Sequence, residues 1–345
     1  MIKVHIVSET EWVTQGQGVH TAFVELVQLL KTDARVQVVI NNEGGGDVFH
    51  SHTYGPYYFW KGRRYKGRRV LTVHVIPDSS RGTIPFAKML MPLTRAYLKA
   101  AYDYADFVVA VSPMVEQELK KMGVRSEIVR ISNPVLLDNW SRTPENREKG
   151  RKLLNLTKEE KLVLGVGQLQ QRKGVEDFID VAVAMPEYQF VWVGGRPMGK
   201  FTEGIGRIDK RIREAPGNIR FMGLLELAAM PPMYAAADLF LFPSYQENCP
   251  LAPLEATACG LPVIFRDIPE YAALYPSPYL KAATTAGFIS LVRMLFTDPG
   301  LYNEATDMSS RLLAEFDQQR VKNELIELYQ RTLAIGTSRR DRPKS

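Results

Sequence analysis

Cysteine is scarce in this sequence, and long apolar runs are missing from it. Its 345 residues include two cysteines, Cys249 and Cys259, whose spacing matches neither a CxxC pair nor a metal-binding pattern. A disulfide scaffold is therefore excluded, and a reducing, cytosolic compartment is favoured. No window approaches the roughly 18 uninterrupted apolar residues of a spanning helix, and the apolar run in MIKVHIVSE is too short for a signal peptide. We therefore expect any membrane contact to be peripheral.

The remaining composition is that of an ordinary globular protein. With 45% hydrophobic and 24% charged residues, 25 Gly and 21 Pro, the chain is neither collagen-like nor disordered. At about 100–200 residues per domain, the length predicts two domains, each able to bury its own core. The formal net charge of +6 favours anionic partners without identifying them.

Short β-branched runs alternate with amphipathic stretches along the whole chain. This alternation predicts an α/β fold with parallel, doubly wound sheets. The predicted strands lie near residues 3–8, 36–41, 47–53, 69–75, 107–112 and 127–135, and then near 161–168, 188–195, 218–223, 238–244 and 261–267.

The alternation of strands and helices is interrupted once, and this interruption suggests a domain boundary. The polar stretch 139–157 is typical of a linker, and the final helical pattern, at about 302–333, is long enough to pack back across the first domain. We expect an N-terminal domain over 1–150, a C-terminal domain over 151–315, and a final segment 316–345 that packs back on the first domain and ends in a basic tail.

The strongest chemical signal is SYQENCPLAPLEATACGLPVI, which contains two carboxylates eight positions apart, Glu247 and Glu255. The preceding strand ends just before it, so Glu247 falls in the crevice at the carboxyl end of a parallel sheet, where ligands bind. Backbone N–H groups could meet an anionic ligand there. The candidate donor-binding residues of this loop are Asn248, Cys249, Pro250 and Leu251; the N–H groups are those of the three residues other than Pro250. The alternative is two solvated glutamates on a loop and a helix.

This segment resembles the donor-site signature of the retaining glycosyltransferases of family 4, which have the GT-B fold of two facing Rossmann-like domains. The resemblance extends over nearly the whole chain. It implies that Glu255 holds the ribose of a nucleotide and that Glu247 contacts sugar hydroxyls near the reacting carbon. It also implies that the loop 248–251 contacts the sugar and the phosphates.

The segment GVGQLQQRKGVEDFI leaves a strand, passes two cations and enters a helix. Arg172 and Lys173 could neutralise a departing diphosphate. The family's pattern resembles G-R-L…K-G, in which both cations contact the diphosphate. Here Gln168 stands at the Arg position, whereas Lys173 matches. Arg172 is a candidate to replace the missing cation.

Two signals lie in the first domain. The turn VTQGQGVHTAF resembles the family's Gly-rich loop, and Gly16 and Gly18 would let the backbone approach donor phosphates. His74 follows a strand where the family has a similar histidine at the reaction centre. His50 and His52 resemble the family's D-V-I-H-x-H strand, and we expect them to serve architecture or to line the acceptor cleft.

Metal chemistry is not expected, because no DxD motif follows a strand and Asp78, Asp238 and Asp267 are isolated in the sequence. No cofactor is expected either; the resemblance implies a UDP-hexose as donor substrate.

A polybasic stretch, KGRRYKGRR, and the basic amphipathic pattern after it suit an anionic membrane surface. The alternative is a solvated charge run beside a helix that packs on the sheet. A nucleic-acid partner is not expected, because no RNA or DNA module is recognisable. The candidate membrane-binding residues are Lys61, Arg63, Arg64, Lys66, Arg68, Arg69, Lys88, Arg95 and Lys99.

These features together resemble Gram-positive glycolipid synthases that add a second hexose to glucosyl-diacylglycerol. The resemblance implies transfer of glucose or galactose from a UDP-sugar to a membrane glycolipid, with retention and without a metal. The enzyme would be cytoplasmic and peripheral on the inner face of the cell membrane. The alternatives are a family 4 enzyme with a soluble or polysaccharide acceptor, a UDP-sugar epimerase, and a non-catalytic UDP-sugar-binding protein.

Overall fold

The computed structural model describes residues 1–13, 18–80, 87–196, 204–275 and 278–340. Within these ranges the chain forms two compact units. The first contains described residues of 1–78, 88–135 and 316–340, and the second contains those of 79–80, 87 and 136–315.

The first unit is built on a parallel sheet with helices between its strands. Its apolar runs at 69–73 and 107–110 are largely buried, as expected for the inner strands of a sheet that helices cover. The strands are β1 (Ile2–Val7), β2 (Val36–Ile40), β3 (Val48–Ser51), β4 (Arg69–Val73), β5 (Phe107–Ala110) and β6 (Glu127–Arg130). The helices are α1 (Thr10–Val13), α2 (Gly18–Lys31), α3 (Pro56–Gly62), α4 (Ala87–Tyr104) and α5 (Pro113–Lys121).

The strand order of this sheet, among the described residues, is β2-β1-β3-β4-β5-β6, and the pairs are parallel. The chain moves from β1 outward to β2 and then returns to place β3 on the other side of β1. Its switch point therefore lies between β1 and β3. In such sheets ligands bind outside the carboxyl ends of the strands at the switch point.

The second unit repeats this plan. Its strands are β7 (Leu162–Val166), β8 (Gln189–Val193), β9 (Ile219–Phe221), β10 (Leu239–Phe242), β11 (Val263–Arg266) and β12 (Leu280–Ala282). Its helices are α6 (Pro144–Leu153), α7 (Val175–Ala184), α8 (Ile205–Arg213), α9 (Met230–Ala236), α10 (Ala252–Ala258), α11 (Pro269–Leu274), α12 (Thr285–Thr297) and α13 (Pro299–Arg311).

Its strand order over the described residues is β12-β11-β10-β7-β8-β9, again with parallel pairs. The chain runs outward from β7 to β9, then returns to the other side and runs from β10 to β12. The switch point lies between β7 and β10. A buried aromatic cluster around Phe178, Phe190 and Trp192 fills the core beside it.

The expected linker 139–157 is wrong over most of its length, because α6 occupies residues 144–153. Thr143 caps this helix by accepting from the Asn146 N–H at 3.1 Å, and Pro144 occupies its first turn. The helix is polar because two of its arginines bind backbone carbonyls of the neighbouring helix. Arg147 donates to the carbonyl of Ala235, and Arg151 donates to that of Ala236.

The helical pattern expected over about 302–333 is divided between two helices. Helix α13 ends at Arg311, a 3-10 turn covers Leu312–Phe316, and α14 (Gln318–Arg340) follows. Helix α14 is part of the first unit, where Val321, Leu325 and Tyr329 are buried. Strand β12, which the sequence pattern did not predict, extends the second sheet beyond β11.

Candidate active site

Two loops meet at the switch point of the second sheet. One follows β7 and contains Arg172 and Lys173; the other follows β10 and contains Glu247. Because β7 and β10 are neighbouring parallel strands, their carboxyl ends lie side by side. The sheet topology therefore brings together two segments that are about 70 residues apart in the sequence.

Lys173 and Glu247 form an ion pair there between Nζ and Oε1. The side chains are 14% and 8% exposed, respectively. Ser244 donates from its hydroxyl to the same carboxylate oxygen at 2.7 Å, and the Arg172 guanidinium lies 3.9 Å from the other oxygen. The carboxylate is thus held between two cations and a hydroxyl.

The two charges of this pair perturb each other. Burial raises the pKa of Glu247, but attraction to Lys173 and Arg172 outweighs burial and holds the pKa of that carboxyl below its ordinary value. Burial lowers the pKa of the Lys173 ammonium, with Glu247 opposing that effect. The ionised form of Glu247 is therefore the stable one at neutral pH.

The backbone fixes the distance between the two loops. The Tyr245 N–H donates to the Arg172 carbonyl at 2.7 Å, and Arg172 Nη1 donates to the Gln246 carbonyl at 3.1 Å. Gly174 has a φ of +70°, and a Cβ there would lie 2.2 Å from the Pro243 carbonyl oxygen. This close approach needs glycine, so packing accounts for Gly174 directly after Lys173.

Glu255 lies on α10 and is 6% exposed. Its Oε2 accepts a hydrogen bond from the hydroxyl of Tyr234, a fully buried residue of α9 whose ring packs edge-on against Trp140. The carboxylate is therefore oriented by a side chain that is itself locked in the core.

The loop between the two glutamates is partly buried. Pro250 and Leu251 are buried, whereas Asn248 and Cys249 are half-buried. The Asn248 side-chain amide donates to the Ser79 hydroxyl at 2.9 Å, and Ser79 is grouped with the second unit. Gln168, at the family's arginine position, is half-buried in the loop after β7.

In the first unit, the expected residues lie at the carboxyl ends of the strands. Gly18 is the first residue of α2, and a Cβ there would meet nothing within 4 Å. Gly16 lies outside the described residues. His74 directly follows β4 and is half-buried.

Three histidines stack at this edge of the first sheet. The rings of His50 and His52 lie 5.0 Å apart, and those of His52 and His74 lie 5.2 Å apart. His52 Nδ1 is 3.1 Å from His74 Nε2. Burial lowers the pKa of His74 to about 4 and that of His50 to about 3, with repulsion from His74 adding to the latter. At neutral pH these imidazoles are neutral hydrogen-bonding groups.

His50 connects this edge to α14. One ring nitrogen lies 2.7 Å from the Tyr329 hydroxyl and the other lies 2.7 Å from the Thr72 hydroxyl. Both partners are buried, so His50 is an architectural residue of the first unit.

The nine cationic residues predicted for a membrane surface fall into different environments. Arg69 pairs with Asp106, Arg95 with Glu118 and Lys99 with Asp103. Five others form no ion pair with any described residue: Lys61, Arg63, Arg64, Lys66 and Arg68. The Lys88 side chain lies outside the described residues. Helix α4 also exposes apolar side chains, with Met89 at 74% and Leu93 at 69%.

Asp238, which looks isolated in the sequence, is the centre of a charge cluster. It lies near the guanidinium groups of Arg142, Arg147 and Arg151, and its Oδ2 accepts from the Leu162 N–H at 2.9 Å. Helix α6 brings Arg147 and Arg151 to it, so its partners are cations rather than other metal-ligating side chains. Within the described ranges no three His, Cys, Asp or Glu side chains gather as metal ligands.

Sequence reasoning missed Ser244 and Tyr234 in the second unit, and the pairing of His52 with His74 in the first. Ser244 begins the motif that contains both glutamates, so its place in that motif was the available signal. Tyr234 gave none, because it reaches Glu255 from another helix.

The two switch-point sheets define the GT-B fold. The structure matches that of sucrose-phosphate synthase from Thermosynechococcus elongatus with a TM-score of 0.78 at 18% identity. The match covers 97% of this chain and 100% of that one. It also matches Anabaena HepE in complex with UDP-glucose over 96% of this chain and 100% of that one, with a TM-score of 0.74 at 15% identity. The expected fold class is confirmed.

Sequence comparison identifies the family. Residues 13–139 match the model described as Glycosyltransferase Family 4, and residues 160–283 match Glycosyl transferases group 1. The chain is 30% identical to the alpha-galactosylglucosyldiacylglycerol synthase of Streptococcus pneumoniae, covering 97% of this chain and 91% of that protein. It is 29% identical to the processive diacylglycerol alpha-glucosyltransferase of Acholeplasma laidlawii, over 76% and 78% of the two chains. This chain belongs to glycosyltransferase family 4, as its motifs indicated.

Proposed function

We propose that this glycosyltransferase moves a hexose from a UDP-sugar to a hydroxyl of a diacylglycerol glycolipid, with retention at the anomeric carbon. The observation that carries the proposal is the buried Lys173–Glu247 pair at the same switch point as Glu255. A cation, a sugar-facing carboxylate and a ribose-binding carboxylate are the groups that a UDP-sugar requires. The Anabaena HepE structure with UDP-glucose, which shares this fold, supports the choice of donor.

In this proposal the leaving group drives the reaction. Lys173 and Arg172 stabilise the negative charge that develops on the diphosphate as the glycosidic bond breaks. These cations supply charge that a divalent metal provides in other transferases, so the proposed transfer is metal-independent. Glu247 keeps Lys173 in place before the donor binds. The acceptor hydroxyl attacks on the face that the diphosphate leaves, and its proton passes to the departing phosphate oxygen.

The acceptor is proposed from two observations. The Streptococcus pneumoniae relative, which aligns over nearly the whole chain, is named for a diacylglycerol glycolipid. The first unit also exposes Met89, Leu93 and Tyr97 on one side of α4, at the spacing of a helix face. Such a face suits binding in the plane of a membrane. None of the described helices has the length and hydrophobicity to span a bilayer. We propose peripheral binding at the inner face of the cell membrane.

A transfer assay tests the donor and the acceptor together. Radiolabelled UDP-glucose and UDP-galactose are offered separately, with glucosyl-diacylglycerol in vesicles with and without phosphatidylglycerol. We expect label in a slower-migrating glycolipid with one of the donors, and an α-linkage in the product by NMR.

The other outcomes separate the alternatives. Label transferred only to an added soluble oligosaccharide would replace the lipid acceptor and leave the transferase class intact. Conversion of one UDP-sugar into another without an acceptor would identify an epimerase. UDP binding without turnover on any acceptor would leave a binding protein. A β-linked product would overturn retention.

A further inference from the structure

The first unit has a polar cavity that His5 lines but that His50, His52 and His74 do not. It has a volume of about 680 Å³ and lies beside β1, near the amino ends of the strands. Four cationic side chains line it: Lys3, Lys61, Arg64 and Arg68. His50, His52 and His74 lie towards the carboxyl ends of the strands, so this cavity is not part of the candidate active site.

The cavity exists because one crossover is unusually short. Strands β2 and β3 flank β1, and parallel strands are usually linked by a dozen or more residues that include a helix. Here residues 41–47 make the connection without a helix, and Gly44, Gly45 and Gly46 line the cavity. A Cβ at Gly46 would lie 2.5 Å from the Lys3 carbonyl oxygen, so the loop lies flat on β1 and leaves the space beside it open.

The charges in the cavity are unbalanced. The part of the chain that the structure describes contains no ion pair to Lys3, Lys61, Arg64 or Arg68, in contrast to Arg69 on the adjacent strand, which is paired with Asp106. Asp47 also lines the cavity, but its Oδ2 accepts from the Lys3 backbone N–H at 2.9 Å and its carbonyl accepts from Arg68 at 2.7 Å.

We propose that this cavity binds a phosphate-bearing anion. Ammonium groups attract phosphate oxygens, and guanidinium groups can donate two hydrogen bonds to them. Cations that line a concave site also give a stronger positive potential than the same charges dispersed over a surface. The phosphate could belong to a phospholipid headgroup or to free inorganic phosphate. The site requires no assumption about the transfer reaction.

Arg64 and Arg63 provide a matched pair of variants. They are adjacent and exposed, but only Arg64 lines the cavity, whereas Arg63 Nε donates to the Trp60 carbonyl at 3.3 Å. Calorimetric titration of the full chain with inorganic phosphate, at ionic strength matched with sodium chloride, forms one arm. Sedimentation with phosphatidylcholine vesicles, with and without phosphatidylglycerol, forms the other arm. Thermal unfolding confirms that both variants are folded.

We expect Arg64→Gln to weaken binding about tenfold and Arg63→Gln to change it less than twofold, in at least one arm. A difference seen only with phosphatidylglycerol assigns the site to a lipid headgroup, and one seen only with inorganic phosphate assigns it to the free anion. Equal effects of the two variants in both arms, or no binding by the wild type in either, would overturn the proposal.

A separate observation concerns His52, whose Nε2 is buried and has no hydrogen-bond partner among the described residues. A neutral imidazole has one donor and one acceptor nitrogen. If Nε2 carried the proton, a buried N–H would remain unsatisfied, and such groups are rare. We infer that the proton is on Nδ1 and is donated to His74 Nε2, 3.1 Å away.

This arrangement makes His52 a positioning residue for His74. Any effect of His52 on turnover rests on the proposed function. With Nε2 accepting from His52, the proton of neutral His74 is on Nδ1. Neutral His74, at the carboxyl end of β4, is therefore fixed in the Nδ1–H tautomer. The tautomer itself is independent of any activity.

Nitrogen-15 NMR of histidine-labelled protein reads the tautomer directly, and the chain has only 5 histidines to assign. We expect a protonated Nδ1 at His74. The His52→Asn variant keeps an amide donor near the Nδ1 position and should preserve this tautomer, whereas His52→Gln moves the donor away and should not. A protonated Nε2 at His74 in the wild type would overturn the inference, whatever the transfer assay gives.

Discussion

Lys173 and Glu247 place opposite charges in contact at a site where both side chains are largely withdrawn from solvent. A buried pair of this kind adds little net stability, but removing one partner leaves an uncompensated charge. The pair therefore links folding to the proposed chemistry, since the cation that would meet a diphosphate is held by the carboxylate that would meet the sugar.

Replacing Lys173 by Met tests this link. We expect kcat to fall by about 10²-fold, as for loss of one charge-stabilising donor, with a smaller change in the KM of the donor. The free energy of unfolding should fall by about 3–5 kcal/mol, because Glu247 stays buried with Arg172 as its remaining cation, 3.9 Å away. Steady-state kinetics and denaturant titration measure the two effects.

A double variant separates the two effects. Lys173→Met with Glu247→Gln removes both charges, so we expect stability to recover while turnover stays low. Lys210→Met, in a surface pair with Glu214, is the control and should change neither quantity. Recovery of turnover in the double variant would contradict the role of Lys173.

The histidines predict how stability depends on pH. Because burial lowers the pKa of His50, His52 and His74, the unfolded chain takes up protons below about pH 6.5 that the folded chain does not. The free energy of unfolding should therefore fall as pH is lowered from about 6.5 towards 4. Chemical denaturation across this range measures the slope.

The His52→Asn variant identifies the source of that slope. Loss of one buried histidine should reduce the slope by up to about 1.4 kcal/mol per pH unit. An unchanged slope would show that His52 does not contribute to the acid sensitivity.

The exposed apolar residues of helix α4 are expected to anchor the chain to a membrane. Leu93→Ser removes an exposed apolar group, whereas Lys99→Gln removes a cation already paired with Asp103. We expect Leu93→Ser to weaken vesicle binding severalfold and Lys99→Gln to change it by less than twofold. Cosedimentation with phosphatidylglycerol vesicles measures both. A larger effect of Lys99→Gln would favour the polybasic interpretation of this helix.

Much of the fold could be predicted from periodicity. The buried strands, such as β5 with its sequence FVVA, have continuous β-branched runs that indicate parallel sheets. Helix α6 could not be found in the same way, because its arginines satisfy backbone carbonyls of another helix and no apolar stripe marks its face. The signal that remained was local: threonine followed by proline at 143–144.

Some residues of the candidate site could be predicted from the sequence, but the contacts between them could not. Glu247 and Glu255 share one motif, and Lys173 has a recognisable neighbour in Gly174, so short-range patterns identified them. That Lys173 touches Glu247 follows from the order of β7 and β10 in the sheet, which no local pattern contains. The pairing of His52 with His74 likewise depends on β3 lying beside β4.

The return of α14 to the first unit has a consequence for synthesis on the ribosome. The first unit needs Tyr329 to complete the surroundings of His50, yet residues 136–315 of the second unit are translated in between. At about 5–20 residues per second, that interval lasts on the order of ten seconds or more. The second unit, nearly continuous in sequence, can finish folding while the first still waits for its last helix. The domain made first is thus completed last, and its unfinished edge is exposed to chaperones throughout elongation.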